Sequence, residues 1–208
     1  MAVNLTRIYT RTGDAGETRL GDMSKTTKTD PRLAAYGEVD EANSSIGVAI
    51  AAGHLNSAIV VLLTKIQNDL FDVGADLCTP IVPNPEYPPL RITQEYVDRL
   101  EGWCDDYNNR LTKLRSFVLP GGSVGAAHLN VARCVVRRAE RAGWLAVETH
   151  GPSINLLAIT YLNRLSDLLF ILARVANLSS GGDVLWIPGA STTAPQPETK
   201  PADPPPTD

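Results

Sequence analysis

A chain of 208 residues, 43% of them apolar, has material for one well-filled core and little more. Its net charge of −4 excludes a generally basic nucleic-acid binder, so any phosphate site must come from local clustering. Aromatic residues make up only 6%, which leaves a mostly aliphatic core.

The chain opens with a polar stretch, "TRTGDAGETRLGD", Thr10 to Asp22. Gly13 and Gly16 permit close backbone approach, and consecutive N–H groups there can form a nest for an anion. Thr10, Thr12 and Thr18 add hydroxyls, and Arg11, Lys25 and Lys28 add charge. It is not a Walker loop, because no GK[ST] follows. By composition alone it reads as a turn.

Five helices follow. The first, "DPRLAAYGEVDEANSSIGVAIAAG", has Asp30 to cap it, Pro31 at its first position and Gly53 as its stop. In the second, Ile59, Leu62, Leu63, Ile66, Leu70, Val73 and Leu77 recur at helical spacing. The segment from Thr79 to Leu90 holds five prolines and can only be a connector. The third helix begins near Thr93, with an apolar stripe of Val97, Leu100, Trp103, Tyr107 and Leu111. The fourth follows "FVLPGGS" with Ser123 as its cap, and the fifth, "INLLAITYLNRLSDLLFILARVAN", is expected to open at Ser153. The fifth is apolar nearly all round, which marks a central helix walled in by others. Its charges interrupt it too often for a membrane span. From Ala190 the chain holds six prolines and almost no large apolar residue. Such a tail cannot offset its ordering entropy, so disorder is expected.

The chemical signal is strongest in "ARCVVRRAER". At about 100° per residue, Arg133, Arg137, Glu140 and Arg141 share one helix face, while Arg138 points elsewhere. Three guanidiniums against one carboxylate leave surplus positive charge suited to phosphate oxygens. The competing reading is a solvated face laced with i,i+3 and i,i+4 contacts. The fifth helix carries a matching polar stripe, Asn163, Asp167 and Arg174, within about 40°. A polar stripe on a buried helix needs internal partners or a ligand. Asp40 and Glu41 on the first helix read as an arginine anchor or as surface charges. The cysteines Cys78, Cys104 and Cys134 are scattered with no CxxC pair, as reduced thiols of a cytoplasmic protein are. No apolar signal core precedes the polar start. The three histidines do not cluster, so a metal role is not indicated.

Five motifs in order, "YTRTGDAGETRLGD", "KTDPRLAAYGEVDEANS", "FVLPGGS", "ARCVVRRAER" and "YLNRLSD", closely resemble the PduO-type ATP:cob(I)alamin adenosyltransferases. The resemblance spans Arg7 to Asn177. It implies an all-α fold, an antiparallel five-helix bundle with an extended N-terminal segment, in one domain of residues 1–189 ahead of the tail 190–208. It implies a homotrimer with active sites between subunits, and partnership with a cobalamin reductase and an adenosylcobalamin-dependent mutase. It implies ATP with Mg²⁺ and cob(I)alamin as reactants. By motif, Thr10, Arg11, Thr12, Gly13, Gly16, Thr18 and Arg19 would cradle the triphosphate, with Lys28 and Lys25 adding charge. Arg133, Arg137, Arg138, Glu140, Arg141 and Asn163 would hold nucleotide. Asp40 would pair with Arg133, and Phe117 would face the corrin ring. Where the family usually reads "DELNS" this chain has "DEANS", with Ala42 trimming the packing near Asp40. Two rivals carry different roles: a non-catalytic adenosylcobalamin carrier, and an ATP-sensing regulatory bundle that ignores corrinoid.

Overall fold

The computed structural model describes residue 9 and residues 11–191. Thr10 and most of the expected tail lie outside the described residues. Two short strands, β1 (Glu17–Arg19) and β2 (Lys25–Thr27), precede five helices: α1 (Pro31–Ala52), α2 (Ser57–Cys78), α3 (Gln94–Asn108), α4 (Val124–His150) and α5 (Leu156–Asn177). The antiparallel hairpin pairs Thr18 with Thr26 and Arg19 with Lys25, so the polar N-terminal segment is more ordered than an extended arm.

Helix ends follow local chemistry. The Asp30 carboxylate accepts from the Arg32 N–H ahead of Pro31, and Asn56 and Ser123 cap α2 and α4 in the same way. The start of α5 differs from expectation. Ser153 ends a single 3-10 turn, Gly151–Ser153, and Asn155 is the cap. The Ser153 hydroxyl is taken elsewhere: it accepts from Arg32 Nη2 at 2.6 Å and donates to the His150 carbonyl at 3.1 Å. Leu111 falls beyond the end of α3. The proline-rich connector contains no helix or strand, as a missing N–H and a fixed φ at each proline require.

The helices run up, down, up, down, up. Asp30 meets His150, and Arg32 reaches the end of α2 through the Leu77 carbonyl, so one end of the bundle collects the starts of α1, α3 and α5. The far end is closed by Asn177. Its Oδ1 accepts from the Ser123 N–H at 2.9 Å, and its Nδ2 donates to the Gly121 carbonyl at 2.9 Å. Gly122, at φ 99°, lies so close that a Cβ would fall 2.2 Å from Asn177 Oδ1; that is why "PGGS" carries glycine there.

α1 packs on α2 and α4, and α5 packs on α4, α3 and α2. α3 and α5, neighbours but not consecutive, run parallel. α5 also has an apolar window long enough to cross a bilayer, with hydropathy 1.5, contrary to the expectation from its charges. Burial of Leu162, Leu165, Leu168, Leu169 and Leu172 between its neighbours accounts for that hydropathy. Tyr161 is fully buried, and its hydroxyl donates to Asp69 Oδ2 at 3.0 Å, the oxygen that also takes Arg99 Nη2 at 2.7 Å. Each buried polar atom of this cluster is matched, so the start of α5 is held firmly.

Candidate active site

The antiparallel seam of α4 and α5 brings most of the predicted helical residues together. Arg133 lies over the Phe170 ring, 5.9 Å from its centroid. Two turns lower, Glu140 Oε1 accepts from Asn163 Nδ2 at 3.0 Å. Between these levels Asp167 lies within the field of Arg137 and Arg164. Partial desolvation raises its carboxyl above the ordinary range, and those two guanidiniums offset part of the rise. Arg137 is exposed and makes no ion pair among the described residues. The Arg133 Nε is buried without a hydrogen-bond partner.

Arg141 donates from Nη1 back to the Arg137 carbonyl at 3.1 Å. Arg138 stands apart, as its helix angle requires. Its Nε donates to Glu38 Oε2 at 2.6 Å and its Nη2 to Glu41, tying α4 to α1. The Nε–Nη2 edge of Arg138 therefore serves packing of α4 on α1, a role the expectation of nucleotide binding did not include. Asp40, between those glutamates, is exposed and forms no ion pair among the described residues. The Asp40–Arg133 pair is thus not formed within the chain. Arg174 also leaves the expected stripe. Eleven residues carry it about 16 Å beyond Asn163, and there it is 5% exposed, bonded to Asp183 at 2.7 Å and to the Thr112 carbonyl at 2.9 Å.

The upper end of the seam opens into a cavity of about 840 Å³ lined by Phe117, Phe170, Trp186 and Arg133, among others. Phe117 is 77% exposed and meets Trp186 edge-on, with centroids 6.0 Å apart. Backbone pairing fixes this contact: the Trp186 N–H donates to the Phe117 carbonyl at 2.8 Å, and the Leu119 N–H to Val184 at 2.8 Å. An aromatic so exposed yet so firmly held is not core packing. Trp186 was not singled out in the sequence; the signal was the apolar run "VLWIP" placed outside every helix.

The N-terminal group assembles separately. The Gly16 N–H donates to the Gly13 carbonyl at 3.2 Å, and the Lys28 N–H donates to the Gly16 carbonyl at 2.8 Å. The Gly16 amide is therefore spent on the turn and not offered to an anion. A Cβ on Gly13 would lie 3.1 Å from Lys28 Nζ, so this glycine lets the ammonium rest on the loop. Arg11, at φ 60°, stacks over Tyr9 at 5.6 Å. Lys25 pairs with Glu17 at 3.7 Å, and Arg19 donates to the Met23 carbonyl at 2.8 Å. The hairpin abuts the end of α2, where the Gly21 N–H donates to the Cys78 carbonyl. Asp30, just after it, contacts His150, whereas Arg137 lies about 20 Å up α4 from that point. The backbone hydrogen bonds of Gly13, Gly16 and Lys28 stay within the N-terminal segment, and none joins the arginine stripe.

The profile of cobalamin adenosyltransferases matches residues 8–176. The chain belongs to this family. It is 64% identical over 194 residues to a corrinoid adenosyltransferase of Mycobacterium tuberculosis, covering 93% of this chain and 100% of that protein. It is 41% identical over 182 residues to a corrinoid adenosyltransferase of Bacillus subtilis, covering 86% and 91%. Its fold superposes with TM-score 0.78 on a variant PduO-type ATP:corrinoid adenosyltransferase from Lactobacillus reuteri complexed with cobalamin and ATP. That protein is 38% identical and is covered to 99%, against 86% of this chain. Ala42 is fully buried, so the "DEANS" departure is a substitution in the core.

Proposed function

We infer that this adenosyltransferase moves the 5′-deoxyadenosyl group of ATP to cob(I)alamin and releases triphosphate. The observation that carries this reading is Arg133, which belongs both to the arginine stripe and to the aromatic cavity, so nucleotide and corrin would meet beside it. The cobalt electron pair attacks C5′, a Co–C bond forms, the C5′–O bond breaks, and its electron pair leaves on triphosphate. No protein nucleophile is needed. The protein's tasks are to align C5′ with cobalt and to stabilise charge growing on the leaving oxygen.

In this reading Arg137 and Arg133 bind phosphate, Glu140 and Asn163 hold the nucleoside, and Phe117 with Trp186 faces the corrin. Among the described residues no group of three or more His, Cys, Asp or Glu side chains is arranged to hold a metal; Mg²⁺ would ride on the phosphates of ATP. That the backbone hydrogen bonds of the glycine loop stay within the N-terminal segment supports a site completed by a neighbouring subunit, in a homotrimer. The N-terminal segment of one subunit, with Arg11, Gly13, Thr18 and Lys28, would close the site of the next, and Asp40 would meet Arg133 across that boundary. The enzyme would work in the cytoplasm, fed by a cobalamin reductase and supplying a mutase.

Single-turnover mixing of ATP with chemically reduced cobalamin tests the reading. Loss of the cob(I)alamin absorbance with stoichiometric triphosphate is expected. Binding of both reactants without triphosphate would mean a carrier, and ATP binding with indifference to corrinoid a sensor. Light scattering is expected to report three chains; a fully active monomer would remove the shared site.

A further inference from the structure

Asn163 sits between two groups that leave its amide one orientation. On one side Arg164 Nη1 donates to Asn163 Oδ1 at 2.6 Å. On the other, Asn163 Nδ2 donates to Glu140 Oε1 at 3.0 Å. A guanidinium can only donate and a carboxylate can only accept, so turning the amide over would set donor against donor and acceptor against acceptor. Contact between residues i and i+1 is unusual on a helix, whose adjacent side chains diverge. Here Arg164 is drawn back because its Nε is held from α3 by Glu101 Oε1 at 2.6 Å. The chain Glu101–Arg164–Asn163–Glu140 therefore runs from the outer face of α3 across α5 to the stripe on α4. It leaves Glu140 Oε2 without a hydrogen bond among the described residues, and one Asn163 N–H likewise.

We propose that Arg164, clamped by Glu101, is a positioning residue for nucleotide recognition: it fixes the Asn163 amide so that Asn163 and Glu140 present a set pair of groups, one donor and one acceptor, to the nucleoside. The proposal rests on the nucleotide reading of Asn163 and Glu140 given above. Arg164 itself touches no reactant. A plain surface ion pair would contribute little to stability and nothing to substrate choice, so the two roles separate cleanly.

Charge exchange distinguishes them. Arg164→Glu replaces a donor by an acceptor next to Asn163; the KM for ATP is expected to rise about tenfold, with the KM for cobalamin unchanged. Arg164→Lys keeps a donor-only group and is expected to retain the ATP KM. The double variant Glu101→Arg with Arg164→Glu rebuilds the α3–α5 ion pair and should recover the melting temperature. It still offers Asn163 only acceptors at position 164, so its ATP KM should stay high. A double variant with wild-type ATP KM would overturn the positioning role, as would Arg164→Lys raising KM as far as Arg164→Glu. Asn163→Ala is measured alongside. If it leaves the ATP KM unchanged, the nucleotide assignment of Asn163 fails and the proposal with it. If it raises KM while Arg164→Glu does not, the positioning role alone fails.

Discussion

The N-terminal loop and the α4/α5 seam both carry cations, yet they are built in opposite ways. In the loop, turns and a three-residue hairpin hold the backbone, while Lys25, Lys28 and Arg19 are exposed with light ties. In the seam, two long helices fix the backbone, and Asn163, Glu140 and Arg164 are bonded side chain to side chain. A loop that supplies charge tolerates motion, because Coulomb attraction falls slowly with distance. A seam that orients a ribose carbon, as proposed above, does not, because misplacement by an ångström is costly. The seam groups should therefore respond steeply to substitution, and the loop should act through whatever anchors it.

The largest effect is expected for Arg137→Ala. Losing one charge-assisted phosphate contact costs about 1.5–3 kcal/mol, so kcat/KM for ATP should drop by roughly one to two powers of ten with the melting temperature unchanged. Arg138→Ala, one residue along, should do the reverse: turnover kept, and a small stability loss as Glu38 and Glu41 are released. Equal kinetic damage from both would erase the distinction between the faces of α4.

Next comes Phe117→Ala. Because the ring is 77% exposed, folding and ATP affinity should survive, with at most about 0.5–1.5 kcal/mol lost from its contact with Trp186. An apolar group on the axial face of cobalt would displace a coordinating base or water and ease reduction of cob(II)alamin. Electron paramagnetic resonance of the ATP complex should then lose the four-coordinate cob(II)alamin signal in the variant. Wild-type amounts of that signal would remove Phe117 from the corrin face.

Asp30 tests the anchor of the loop. Its carboxylate caps α1, accepts from the Thr26 hydroxyl at 2.6 Å and lies 2.7 Å from His150 Nε2. Burial pushes its pKa up, but these hydrogen bonds outweigh burial and hold it below the ordinary value. A depressed pKa stabilises the fold above the unfolded value, about 3.9, and that contribution is lost as pH falls through the native pKa. Asp30→Ala should cost about 0.5–2 kcal/mol at neutral pH. Thermal scans should show the gap to wild type closing below about pH 4; a gap independent of pH would mean that the charged cap is not what anchors the hairpin. The smallest effect is expected from removing residues 192–208, whose composition offers nothing to pack. A marked rise in the KM for ATP would show that this tail reaches the site.

Helix positions, most caps and the arginine stripe were legible in the sequence because each is local: a capping side chain needs only the next three residues, and a stripe needs only a period of 3.6. Ser153 is not the cap of α5 because its hydroxyl is claimed by Arg32, 121 residues away, a contact no local window contains. Helix angle alone groups Arg174 with Asn163, since periodicity says which face a residue takes and not which level of the bundle it reaches. Arg164 and Glu101 were invisible for the same reason: α3 and α5 become neighbours only after α4 has crossed between them in sequence. The chain by itself determined which groups exist and on which helix face they stand, because backbone geometry repeats every few residues. Tertiary packing alone decided which of them meet, since contacts between helices depend on register and on the path of the connections.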